Sequence, residues 1–366
     1  MQRISSYRDF DWVLLGFVLL LSLVSVLEIR SATAMTKFHG FDHKQVIFLL
    51  IGMVLMFAIS FVDYHNLLDI SPWAYGVGIL SLIAVRFVGT KVLGARRWIK
   101  FPGGGHFQPS EWMKLVLILC VARYFAGLAG RGLTWGDILK AFALVGLPLA
   151  MVLKQPDLGT ALTYVPVLLL GLFLGGIRWR QALILFLLFS VTGWAVLKSG
   201  KVLKPYQVQR LTSFMHPDDD PRGSGYQIRQ SLIAVGSGGL WGKGANQGTQ
   251  TQGDFLPIPY TDFIFAALCE EHGFIGALGV LLLYFLILMR LIQNAQTASD
   301  ASGSLIVMGV AAVIIFQIAV NVGMVVGMMP VTGIPLPLLS YGGSSVLFTF
   351  LALGIVMNIR MRRFVN

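Results

Sequence analysis

Charge is what this sequence has least of. Of 366 residues, only 12% are Asp, Glu, Lys or Arg, against 56% hydrophobic. A soluble domain of this size could not hide that much apolar surface. Polar/apolar alternation along the apolar runs is also absent, which argues against a transmembrane barrel. What remains is an all-α polytopic membrane protein, because in lipid only helices and closed barrels satisfy their own backbone. Cysteine is nearly missing. Cys120 and Cys269 both lie inside apolar runs and read as small packing residues, with no disulfide expected. There is no internal repeat of fixed period and no low-complexity tract. Acidic residues are few, 17 against 28 Lys and Arg, which leaves a net charge of +11. In a membrane protein that excess points to anionic lipid or a phosphorylated substrate, not to nucleic acid.

A span needs roughly 20 apolar residues. Segments of that kind fall at about 12–29, 45–62, 72–88, 110–127, 138–153, 159–176, 181–197, 262–288, 304–328 and 342–359. Ten helices put both termini on one side. Arg3 and Arg8 before the first run and Ala32-Thr33-Ala34 after it imitate a signal peptide, but the run is long and many spans follow, so an uncleaved first helix is expected. With the N-terminus in the cytoplasm, the inner segments carry ten Lys or Arg and the short outer loops eight, a modest bias in the expected sense. Residues 198–261 then form a long extracytoplasmic loop between the seventh and eighth helices. Loops of that length are functional or disordered. This one contains "YQIRQSLIAVGSGGLWGKG", an amphipathic stretch followed by a glycine turn, expected to fold onto the membrane surface. The whole chain, 1–366, reads as one integral membrane domain.

Five polar islands interrupt the apolar chain. In "LGARRWIKFPGGGHFQPSEWMKL", Pro109 can start a helix, and Glu111 and Lys114 stand three residues apart on one face, either as a self-neutralising pair or as a functional site. Arg96, Arg97 and Trp98 suit a phosphate grip or an interfacial anchor equally well. In "KQPDLGT", Asp157 stands where a helix N-cap belongs, and capping alone would explain it. Asp218, Asp219 and Asp220 resemble a metal-holding D-x-D pair but, flanked by prolines and glycines, read as a turn. His39 and His43 stand four apart, yet lack an evident third ligand. "NVGMVVGMMPVTGIPLPLLSYGGSS" breaks an apolar run with Pro330, Pro335 and Pro337. Irregular backbone at membrane depth survives only when it is buried in protein or lines a wet cavity, so a pocket wall is plausible, as is a tight loop.

The last island is "PYTDFIFAALCEEHG", with Asp262, Glu270 and Glu271. With a helix starting at Thr261 or Asp262, steps of about 100° bring Ala266, Cys269, Gly273 and Gly276 close to the Asp262 face. Glu270 falls to one side and Glu271 nearly opposite. This reading leaves Asp262 alone at the outer end of a small-residue stripe, with either close helix packing or a groove beneath it.

In order along the chain, "FQPSE", "QPDLGT", "GYQIRQS", "GSGGLWGKG", "GTQ", "TDFIFA", "EEHG", "NVGMVVG" and "PLPLLSYGGSS" resemble the motifs of the SEDS family (shape, elongation, division and sporulation). The "GKG…GTQ" run is similar to its elongation branch. The resemblance implies a peptidoglycan glycosyltransferase that polymerises lipid II outside the cytoplasmic membrane, working with a class B penicillin-binding protein as transpeptidase. It implies Asp262 as the general base. Arg97, Lys114, Arg210 and Lys243 become candidates for the diphosphate, with Gln108 and Ser344 as further substrate contacts. Glu111 and Asp157 are expected to orient Lys114 or to hold a divalent cation, Mg or Mn, for which the sequence defines no closed site. Three departures stand out: Ile258 removes a charge that relatives carry, His272 replaces a leucine, and "HPDDDP" replaces a more common acidic turn. A flippase for lipid II, or a scaffold for the transpeptidase, are the alternative readings.

Overall fold

The computed structural model describes residues 9–35, 40–92, 95–100, 106–199, 210, 213–215, 218, 220 and 223–364. Helices follow in the order α1 (Trp12–Thr33), α2 (Phe41–Ser60), α3 (Tyr64–Val88), α4 (Pro109–Ala126), α5 (Trp135–Lys154), α6 (Leu158–Leu162), α7 (Val165–Leu174), α8 (Trp179–Ser199), α9 (Ser224–Gly238), α10 (Thr249–Gln252), α11 (Ile264–Gln296), α12 (Ala301–Val325) and α13 (Gly343–Met361). Each expected apolar segment is helical, the sixth as two pieces, α6 and α7. Among the described residues, seven helices are long and apolar enough to cross a membrane. Between α3 and α4 a small antiparallel sheet runs through β1 (Thr90–Val92), β2 (Ala95–Lys100) and β3 (His106–Phe107). It holds the Arg96–Arg97–Trp98 cluster on its middle strand.

The centre of the bundle is α4, which touches α3, α5, α7, α12 and α13. It is buried on every side, with Val116 to Ala122 all covered. A helix apolar all round belongs inside a bundle. By contrast Phe186, Leu187, Leu188, Phe189 and Val191 of α8 are exposed, the pattern of a lipid-facing helix. The α2–α13 crossing depends on small residues: a Cβ on Gly354 would lie 2.6 Å from the Met56 carbonyl oxygen. Both cysteines are free and buried, as expected.

The described part of the 198–261 segment packs onto the bundle. Its helix α9 packs against α11 and α12, and α10 packs against α11 and α1. The acidic turn does the job of a turn: Asp220 accepts hydrogen bonds from the Gly223 backbone (2.9 Å) and the Ser224 hydroxyl (3.2 Å), setting the start of α9. Asp218 pairs with Arg229; Asp219 and His39 lie outside the described residues, and His43 is exposed.

Helix α11 corrects the wheel reading in two places. It begins at Ile264, so Asp262 precedes it, and Gly273 (φ 65°, ψ −164°) kinks it into two segments. A helical wheel assumes one unbroken helix, and the break at Gly273 invalidates it from there on. Of the two readings of the small-residue stripe, close packing or a groove, close packing holds at Gly273. The residues from Gly238 to Gly244 lie against the kink, and a Cβ on Gly273 would sit 2.5 Å from the Leu240 carbonyl oxygen. The kink breaks the two helical hydrogen bonds that Phe274 and Ile275 would give to Glu270 and Glu271. Instead Phe274 N–H donates to Gly239 O (2.9 Å) and Ile275 N–H to Leu240 O (3.2 Å), while Lys243 N–H donates to Glu270 O (3.0 Å) and Gly244 N–H to Glu271 O (2.9 Å). Every group the break frees is satisfied by the docked segment, which is how lipid-embedded helices tolerate a kink. Gly242 (φ 82°) and Gly273 both need a left-handed backbone at this contact.

Candidate active site

Three irregular segments meet ahead of α11. The Asp262 carboxylate faces Gly333, where an added Cβ would stand 3.4 Å from Asp262 Oδ2. The backbone around Asp262 is pinned on both sides. Ser340 Oγ donates to Thr261 O (2.7 Å), and Asn321 Nδ2 donates to Asp262 O (2.9 Å) and to Ile334 O (2.7 Å). Gly159, at the start of α6, packs against the same loop: a Cβ there would meet Thr332 O at 2.6 Å. The proline-broken run thus lies beside Asp262, fixed to α6 on one side and α12 on the other.

Asp262 is half-buried by exposed surface, yet crowded by protein at longer range. Burial pushes its carboxyl up to about 6; Arg210, a hydrogen bond from Thr261, and Arg97 pull it down, and Asp157 raises it. Burial wins because a lone carboxylate in a poorly solvated site loses more hydration than two distant cations return.

Next to it stands a second group. Asp157 caps α6 as expected, accepting from Thr160 N–H (3.3 Å). It also accepts from Gln108 Nε2 (2.8 Å) and lies 3.7 Å from Arg97. The Arg97 guanidinium donates to the Pro156 carbonyl as well. Gln108 N–H donates to Ser344 Oγ (3.1 Å), and Ser344 Oγ donates to His106 O (3.2 Å). So the β-sheet, the α4 and α6 starts and the start of α13 are tied together here. Asp262, Arg97, Arg210, Asp157, Gln108 and Ser344 gather at this one end of the bundle.

Three other predicted residues have different surroundings. Lys114 is fully buried, with Nζ 2.7 Å from Glu111 Oε2 and 4.3 Å over the Phe348 ring. The two form the ion pair that their three-residue spacing allows. Lys243 is held by Glu270 (2.7 Å) and Thr249 Oγ1 (2.7 Å). Glu270 itself collects Gln250 N–H (2.9 Å), Thr251 N–H (3.1 Å) and Thr251 Oγ1 (2.9 Å). The "GTQ" motif is therefore a cage for one buried carboxylate. A divalent cation does not fit Asp157 or Glu111 as they stand, since protein donors and cations already occupy both.

Asn321 and Ser340 carry no distinctive sequence signal for their role beside Asp262. The available signal was a lone Asn and a lone Ser in apolar surroundings, each buried with its hydrogen bonds spent on backbone next to Asp262. A cleft of about 460 Å³ lined by Ser71, Tyr75, Cys120, Arg123 and Leu144 lies toward the other end of α4 and includes none of these residues.

The fold and site define a helical integral membrane protein with a carboxylate in the electrostatic field of two arginines at one end of the bundle. The chain belongs to the FtsW/RodA/SpoVE family, whose model, described as "Cell cycle protein", matches residues 8–364. It is 35% identical to peptidoglycan glycosyltransferase RodA of Treponema pallidum, covering 99% of this chain and 100% of that one. It is 37% identical to peptidoglycan glycosyltransferase MrdB of Escherichia coli K12, covering 96% and 94%. Among solved structures, a chain described under "Structural coordination of polymerization and crosslinking by a peptidoglycan synthase complex" matches with TM-score 0.84 at 32% identity, over 98% of this chain and 99% of that one. The crystal structure of Thermus thermophilus rod shape determining protein RodA matches with TM-score 0.71 at 29% identity, over the same shares.

Proposed function

We propose that this chain is a peptidoglycan glycosyltransferase of the bacterial cytoplasmic membrane that polymerises lipid II into β-1,4-linked glycan for cell elongation and rod shape. The observation that carries the mechanism is the Asp262 carboxylate, partly exposed and facing Gly333, with Arg97 and Arg210 near enough to act on its ionisation. The near full-length match to two named peptidoglycan glycosyltransferases supports the activity.

Lipid II carries its disaccharide α-linked through diphosphate to a polyprenyl chain. A β product requires inversion at C1. The acceptor hydroxyl oxygen bonds to C1 as the C1–O bond to diphosphate breaks, and polyprenyl diphosphate leaves with the electron pair. Asp262 takes the hydroxyl proton, a general-base step that its raised pKa suits. Arg97 and Arg210 stabilise the charge that grows on the diphosphate. Lys114 acts through Glu111 as a positioning pair under the start of α4, and Lys243 through the Glu270 cage. Ten spans with both termini cytoplasmic put Asp262 at the outer face, where the sugar of a lipid substrate meets water. A crosslinking partner, a class B penicillin-binding protein, completes the assembly; the similar peptidoglycan synthase complex supports this.

The test uses purified protein in detergent with lipid II, where there are no two sides to flip between. Wild type is expected to give long glycan on a gel and Asp262→Asn none, with unchanged gel-filtration behaviour. Robust polymerisation by Asp262→Asn removes Asp262 as the base. No product from wild type, with or without the transpeptidase, favours the flippase or scaffold reading.

A further inference from the structure

The mechanism leaves one group of titratable side chains unused. Glu28 of α1 and Glu271 of α11 are each 1% exposed. They converge with His272 so that one ligand atom from each lies within 4.8 Å of the others. His272 Nδ1 is 3.4 Å from Glu28 Oε2, and the His272 side chain is 47% exposed. Ser31 Oγ donates to Glu271 Oε2 and itself accepts from Asn246 N–H (2.8 Å). Among the described residues, Glu28 Oε1 and Glu271 Oε1 have no hydrogen-bond partner. Two adjacent carboxylates buried in the bundle, each with a bare oxygen and with one half-exposed imidazole between them, leave charge and lone pairs under-compensated. Such groups are costly unless paired or bound to a metal.

We propose that Glu28, Glu271 and His272 form a binding site for a first-row divalent cation of the Zn²⁺ or Mn²⁺ class, which ties α1 to the kink of α11. The donor chemistry selects the ion. Two carboxylates neutralise a divalent charge, and an imidazole favours a transition metal over Mg²⁺ or Ca²⁺, which prefer all-oxygen shells. Tetrahedral ligands about 2.0–2.1 Å from zinc stand about 3.4 Å apart, so a side-chain adjustment of about 1 Å closes the site. Three protein ligands leave one position for water on the His272 side, which is also the entry path. Ser31 fixes the orientation of Glu271, as outer-shell donors do at metal sites. Glu271 also accepts Gly244 N–H through its backbone carbonyl, so the ion would brace the same contact that holds the docked segment on the kink. The site is separate from Asp262 and stands independently of the proposed activity.

The experiment takes untagged full-length protein in detergent, strips it with chelator, and adds Zn²⁺, Mn²⁺ or Co²⁺ before desalting. Metal analysis is expected to find about one retained ion per chain, with a Co²⁺ absorption band in the visible. His272→Leu, Glu271→Gln and Glu28→Gln are expected to weaken retention about tenfold or more. His272 is half-exposed, so His272→Leu keeps the fold and carries the test if either buried variant misfolds. Zn²⁺ is expected to raise the melting temperature of wild type and not of His272→Leu. Failure of wild type to retain any of the three ions, or equal retention by wild type and His272→Leu, overturns the site.

Discussion

At the C-terminal end of α11, Asp11 caps α1 and accepts from Arg290 Nε (2.9 and 3.0 Å) and Asn294 Nδ2 (2.9 Å), with Arg360 3.6 Å away. Nearby, burial works against ionised Asp300, but hydrogen bonds from Tyr64 and Gly303 and the field of His65 outweigh it and hold its carboxyl low. Ahead of the N-terminal end of the same helix, Asp262 has a Thr261 hydrogen bond and more distant arginines, and its carboxyl is raised. One end has its acids matched donor for donor; the other keeps an acid under-matched and accessible. A saturated network fixes geometry, while an unsaturated carboxylate retains affinity for a proton, which a general base needs.

The strongest break in this contrast is Asp262→Asn, expected to lower polymerisation by about 10²–10⁴-fold in the detergent assay. Asp11→Ala is expected to do the reverse: it strands Arg290 and Arg360, costing about 3–5 kcal/mol of stability by thermal or denaturant unfolding, while the folded fraction keeps its rate per molecule. Lys114→Ala leaves Glu111 buried without its cation. Both stability and activity are expected to fall, and a near-normal rate would reduce the pair to packing.

Acidity gives a finer test. Asp262 must be deprotonated to act, so the rate is expected to drop about tenfold per pH unit below about 6 and to level off above it. The stability signs are opposite at the two ends. The folded Asp262 binds its proton more tightly than the unfolded chain, so its contribution is present at low pH and is lost as pH rises through about 6. Asp262→Asn is therefore expected to melt about 2 °C higher than wild type at pH 7.5, with the gap closing below pH ~4. Asp300, held low, contributes above its unfolded pKa and loses that contribution as pH falls. Asp300→Asn is expected to lower the melting temperature at neutral pH and to converge with wild type in acid.

The helices and the identity of the acid end were legible in the sequence for different reasons. Apolar runs of span length declare themselves by composition, and Asp157 declared its capping role by following Pro156. The role of Asp262 follows from motif resemblance and not from helical angles, because those presume an unbroken helix from residue 261 or 262, whereas α11 starts at Ile264 and breaks at Gly273. Glu270 was unexplained because its cage is made by Lys243, Thr249, Gln250 and Thr251, about 20 to 27 residues earlier in the chain. Backbone donors of that kind have no periodicity and no residue-type signature. Asn321 and Ser340 escaped for the same reason, since each spends its side chain on a carbonyl whose position only the tertiary fold defines.

The exchange of hydrogen bonds at Gly273 has a consequence for biogenesis. The Lys243 and Gly244 donors precede α11 in the chain, so they are synthesised before the carbonyls they serve. A kinked α11 that enters the bilayer without the preceding segment would carry two bare carbonyls and two bare N–H groups into hydrocarbon, and partition accordingly. With the preceding segment already made, those carbonyls meet their donors on arrival. Insertion of α11 thus becomes a docking event, and its efficiency should depend on the glycines of the segment that precedes it.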